Sequence, residues 1–71
     1  MELTLPHHIY SPRYQRFLEK LRQARLDAGL SQVEVSLKLN KPQSYVSKCE
    51  LGERRVDIIE LLDFAMIYSK P

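Results

Sequence analysis

Residues 31–52 read SQVEVSLKLNKPQSYVSKCELG, and the fold turns on how this run is divided. Ser31 and Glu34 have the spacing of a capping box, in which a hydroxyl and a carboxylate each take up a backbone N–H at a helix start. A short helix over about Ser31 to Leu39 is the consequence. Asn40 then stands where the chain must turn, because asparagine tolerates the left-handed conformation better than most residues with a side chain. Pro42 reopens a helix whose apolar content is Tyr45, Val46, Cys49 and Leu51, and Gly52 stops it. Two short helices joined by three or four residues are the outline of a helix-turn-helix unit. An ordinary helical domain with a tight turn has the same outline, so geometry alone leaves both open.

Outward from this run, Ser11-Pro12 places a hydroxyl at an N-cap and proline at the first helical position, where its missing N–H costs nothing. Tyr14, Phe17, Leu18, Leu21, Arg25 and Ala28 recur at steps of three and four and predict one face of a helix that ends at Gly29. One member of that face, Arg25, is charged. On the other side, Asp57 and Glu60 repeat the capping-box spacing. Val56, Ile58, Ile59, Leu61, Leu62, Phe64, Ala65, Ile67 and Tyr68 then predict a last helix that is apolar on more than one side. The surplus points to a self-association surface or a missing C-terminal segment. No alternating stretch is long enough for a strand. The expected fold is all-α, a compact bundle of four helices over residues 11–71, preceded by a flexible arm at residues 1–10.

With 71 residues, 44% hydrophobic and 28% charged, the chain has the composition of one packed domain rather than a disordered segment. A domain so short buries only about 60% of the surface its unfolded form exposes, so its stability is expected to be a few kcal/mol. Eleven Lys and Arg against nine Asp and Glu leave a net charge of +2, which permits a polyanion partner without demanding one. The one cysteine, Cys49, excludes an internal disulfide, and a reducing cytoplasm is the matching compartment. No apolar run approaches the ~20 residues of a membrane span, and the first residues lack the pattern of a secretion signal. His7 and His8 are too few ligands for a metal site. There is no glycine-rich phosphate loop, no histidine near an acid in the ordered part and no nucleophile with a base. An enzyme is the least supported class, and no cofactor is expected.

The segment RQARLDAGLSQVEVSLKLNKPQSYVSKCELGERRVDIIELL resembles the lambda-repressor-like helix-turn-helix family, the Cro and CI type also called XRE. The resemblance covers roughly Leu21 to Ala65. It is carried by Gly29-Leu30-Ser31-Gln32, Gln43, Val46-Ser47, Glu50 and Gly52-Glu53-Arg54-Arg55 in combination. It implies that the third helix lies in the major groove of DNA. It also implies that the family's fifth helix is absent or truncated. Family members commonly have glycine at Asn40 and polar residues at Val33 and Leu37.

By the same resemblance, Gln32 bonds a phosphate at a helix N-terminus, which is already an anion site through its unpaired N–H groups and dipole. Gln43, Ser44, Ser47 and Lys48 match positions that reach base edges. Their chemistry agrees, since glutamine bonds adenine bidentately, serine serves either polar edge and lysine prefers guanine O6 and N7. Lys41 meets the DNA backbone. Tyr45 either wedges between the third helix and the start of the second, or reaches a phosphate through its hydroxyl while the ring stays packed. At least one of Arg54 and Arg55 neutralises a phosphate. Arg25 pairs with Glu50 and fastens the first helix to the third, and Cys49 fills a small buried apolar position.

The function implied is sequence-specific binding of double-stranded DNA by a homodimer acting as a transcriptional regulator, in the repressor role. Two alternatives stay open. One is an antitoxin of the same fold that also sequesters a protein partner. The other is a protein-interaction module that does not bind DNA and uses Val33 and Leu37 as contact surface.

Overall fold

The computed structural model describes residues 11–69, which form four α-helices and, among those residues, no strand. The helices are α1 (Pro12–Asp27), α2 (Gln32–Leu39), α3 (Gln43–Leu51) and α4 (Ile58–Tyr68). Residues 1–10, with His7 and His8, lie outside the described residues.

Local chemistry accounts for nearly every helix end. The Ser11 hydroxyl accepts the Tyr14 N–H at 3.1 Å, with Pro12 in the first turn of α1. At α2, the Ser31 hydroxyl accepts the Glu34 N–H at 3.0 Å while the Glu34 carboxylate accepts the Ser31 N–H at 2.8 Å. Asp57 and Glu60 repeat the exchange at α4, at 2.8 and 2.9 Å. Asn40 closes α2 in the left-handed region at φ 57°, and Gly52 closes α3 at φ 82°. Pro42 is the N-cap of α3 rather than its first residue, and it offers no side-chain cap. The turn is tied instead by Ser36, a buried residue of α2 whose hydroxyl donates to the Gln43 carbonyl at 3.3 Å.

One core lies between the four helices. Leu21 of α1, Val35 of α2, Val46 and Cys49 of α3, and Phe64 and Tyr68 of α4 meet there. Phe64 is the largest fully buried side chain, with ring centres 6.2 Å from Tyr45 and 5.8 Å from Tyr68. Burial pushes the Cys49 thiol up, away from the thiolate that would make it reactive. Leu51 does not join the core as its apolar character predicts. It is the last residue of α3 and is exposed. The surplus of α4 appears as exposed Ile58, Ile59, Leu62 and Met66, and Val33 and Leu37 of α2 are also exposed. A long-range latch joins the ends of the fold, where the Tyr14 hydroxyl of α1 accepts the Val56 N–H at 3.0 Å just before α4. No helix among the described residues is long and apolar enough to cross a membrane.

Candidate nucleic-acid interface

Helix α3 separates its residues cleanly. Val46 and Cys49 are fully buried, whereas Gln43, Ser44 and Lys48 are exposed and Ser47 is half-buried. Gln43, Ser44 and Ser47 share a shallow depression of about 350 Å³ with Gln32 from the first turn of α2. Lys41 is exposed at the start of the turn into α3. The four polar side chains of α3 therefore form one outward face, adjoined by the N-terminus of α2.

That face is held from behind by a buried ion pair. Arg25 Nε stands 2.6 Å from Glu50 Oε2, and Arg25 Nη2 donates to Glu50 Oε1 at 3.2 Å. Arg25 Nη1 donates to the Leu30 carbonyl at 2.9 Å, which ties the pair to the α1–α2 turn. The side chains are 8% and 3% exposed, so the charges have little water to turn to. The hydrogen bond that Arg25 donates to Glu50 raises the Arg25 pKa further and keeps the guanidinium charged. Gln32 joins the same group, because its amide nitrogen donates to Glu50 Oε1 at 3.0 Å. A side-chain amide carries two donors, so this bond fixes the Gln32 amide and leaves its second N–H available. One hydroxyl of the core, that of Tyr68, is buried with no hydrogen-bond partner among the described residues, and burial pushes its pKa up.

A second cluster gathers around Tyr45, in the first turn of α3. The Tyr45 ring packs against Phe64 of α4 rather than wedging against α2, and its hydroxyl donates to Glu60 Oε2 at 2.8 Å. The reason is helical phase, since Tyr45 shares a side of α3 with Cys49, four residues on, and that side faces the core. Burial, then the bond to Glu60, pushes the Tyr45 pKa up. Arg54 Nη2 is 2.6 Å from the same Glu60 oxygen, and Arg54 Nη1 donates to the Arg55 carbonyl at 3.2 Å. The Arg54 and Lys41 cations stand 4.9 and 5.3 Å from the Tyr45 ring centre, within range of cation–π attraction. Arg55 lies over Tyr14, 4.8 Å from its ring centre, and has no carboxylate partner among the described residues.

Glu60 thus closes the α4 cap and binds two residues from elsewhere, and the Arg54 bond is the largest cause of a pKa held down at about 2. A depressed carboxylate stabilises the fold fully above its unfolded value near 4.5, and that contribution is lost as pH falls through about 2. Urea midpoints are expected to drop between these pH values. The Glu60→Gln variant should show a smaller drop over the same range.

Sequence reasoning placed Glu60 only in its cap. It did not find Ser36, a small polar residue in the middle of a helix with no local signal. Among the described residues, no group of three or more His, Cys, Asp or Glu is placed to hold a metal.

Comparison with known proteins agrees with this architecture. No curated protein matches the chain. Among solved structures, an XRE-family like protein from Pseudomonas syringae pv. tomato superposes with a TM-score of 0.76 at 48% sequence identity, over 79% of this chain and 68% of that one. The profile of the Helix-turn-helix family matches residues 21–71, the span that holds α2, the turn, α3 and α4. An identity of this level, over most of both chains and in the same fold, leads to one assignment: the chain belongs to the XRE family of helix-turn-helix proteins, a family of DNA-binding transcriptional regulators.

Proposed function

We propose that this chain reads double-stranded DNA in a sequence-specific way, with α3 in the major groove, and that it acts as a cytoplasmic transcriptional repressor in dimeric form. The observation that carries the reading is the polar outward face of α3, with Gln43, Ser44, Ser47 and Lys48 set against the buried Val46 and Cys49. Gln43, Ser44, Ser47 and Lys48 take the base edges. The start of α2 and the second N–H of Gln32 take one phosphate, and Lys41 and Arg55 take others. Tyr45 acts on the backbone through Lys41, the cation over its ring that has no carboxylate partner among the described residues. Two copies are needed because one module of this size contacts too few bases to select a site alone. The exposed apolar residues of α4 support association with a second subunit.

The test is selection of a bound site from a randomised duplex pool. A recovered palindrome with half-sites about one helical turn apart supports a dimeric reader. Failure to enrich any site, with weak binding that disappears in salt, defeats the reading. Gln43→Ala and Lys48→Ala are each expected to lose about 1–3 kcal/mol of discrimination at one position of the selected site. Repeating the selection with each variant checks this, and an unchanged site preference would remove that residue from the reading face. Exposed Val33 and Leu37 favour the protein-interaction alternative only if no site is enriched.

A further inference from the structure

The cations beside α3 are not equally available. Lys41 and Arg54 stand over the same Tyr45 ring, but among the described residues only Arg54 is matched by a carboxylate, Glu60 Oε2 at 2.6 Å. Glu60 cannot follow Arg54 outward. Its Oε1 accepts the Asp57 N–H at 2.9 Å, its Oε2 accepts the Tyr45 hydroxyl at 2.8 Å, and its side chain is 14% exposed in the first turn of α4, where the helix dipole favours a negative charge. Arg54 is held at a second point by the Arg55 carbonyl and stands over the Tyr45 ring, 4.9 Å from its centre. To meet a phosphate with its full charge, Arg54 would have to leave a carboxylate that stays in place.

We infer that Glu60 is an electrostatic brake on DNA binding, a residue that withholds Arg54 from the phosphates and so lowers the sequence-independent part of the affinity. This rests on the DNA-binding reading above. Phosphate contacts add to binding on every sequence alike, whereas base contacts alone discriminate. A cation neutralised from within the fold therefore leaves binding more dependent on the α3 face. Tyr45 is the hinge of the arrangement, because it belongs to α3 and touches both Glu60 and Arg54.

The experiment is a salt titration of binding by the wild type, Glu60→Gln and Arg54→Gln, on the selected duplex and on a scrambled one. Glutamine also serves in a capping box, so Glu60→Gln keeps the α4 start while removing the charge. Its slope of log affinity against log salt is expected to steepen by about 0.9, the share of one added phosphate, with binding roughly 3- to 10-fold tighter on both duplexes at low salt. Arg54→Gln is expected to keep the wild-type slope, because the arginine it removes contributes no phosphate contact. A damaged fold can only weaken binding, so the gain is not a by-product of misfolding. An unchanged or shallower slope in folded Glu60→Gln, or a slope shallower by about 0.9 in Arg54→Gln, overturns the brake. If Glu60→Gln does not fold, the exposed Arg54→Gln decides alone. Wild-type protein with no salt-dependent binding to either duplex would end the DNA-binding reading and the brake together.

Discussion

The Arg25→Ala variant is expected to be largely unfolded at room temperature and, for that reason, not to bind DNA. The substitution leaves Glu50 buried at 3% side-chain exposure, with its guanidinium partner gone and only the Gln32 amide still donating to it. It also frees the Leu30 carbonyl at the α1–α2 turn. Breaking one side of a buried ion pair costs about 3–5 kcal/mol, because a charge is left without compensation in a poorly solvated place. A domain of this size is stable by about 5 kcal/mol, so the loss is most of what holds it together. Far-UV circular dichroism with a urea titration measures it. The informative control is Arg25→Met combined with Glu50→Leu. Removing both charges and filling the space with apolar atoms is often neutral or better, so the double variant should fold where the single one does not. A single variant that melts like the wild type would show that the pair does not carry the stability assigned to it.

Phe64→Ala is expected to destabilise by about 3–5 kcal/mol, the usual range for removing a buried ring. Phe64 is 0% exposed and is the largest side chain in that state, standing between Tyr45 of α3 and Tyr68 of α4. Its removal leaves a void against both rings and takes away the support behind Tyr45. The damage therefore extends from α4 to the first turn of α3, where Lys41 and Arg54 stand over the Tyr45 ring. Phe64→Leu keeps more of the volume and should lose less, roughly 1–2 kcal/mol. Thermal melts of both variants give the order, and equal losses would mean that ring shape rather than filled volume is what the site requires.

The helix ends were readable in the sequence because their causes are local. Ser11 with Pro12, Ser31 with Glu34 and Asp57 with Glu60 announce starts within three residues, and Gly29, Asn40 and Gly52 announce stops by the backbone region they tolerate. The outward face of α3 was readable too, since the positions of Val46 and Cys49 fix its phase. The second partner of each polar residue was not. Gln32 bonds Glu50 across 18 positions and Tyr45 bonds Glu60 across 15, and no periodicity connects residues on different helices. The Arg25–Glu50 pair spans 25 positions, and only likeness to a family suggested it. Arg54 shows the practical effect. Read along the chain it is one more free cation after a recognition helix, yet in the fold a carboxylate six residues on already occupies it.

The latch between Tyr14 and Val56 bears on where this protein can be cut. The span recognised by family likeness begins at residue 21, inside α1, and a fragment excised at that border would discard the tyrosine along with Ser11, Phe17 and Leu18. The N–H of Val56 would lose its acceptor, and the core would lose Phe17, which packs against it. The border of the family profile and the border of the packed fold thus differ in this chain. Residues 11–20, ahead of the profile's start, carry the Tyr14 latch and the buried Leu18.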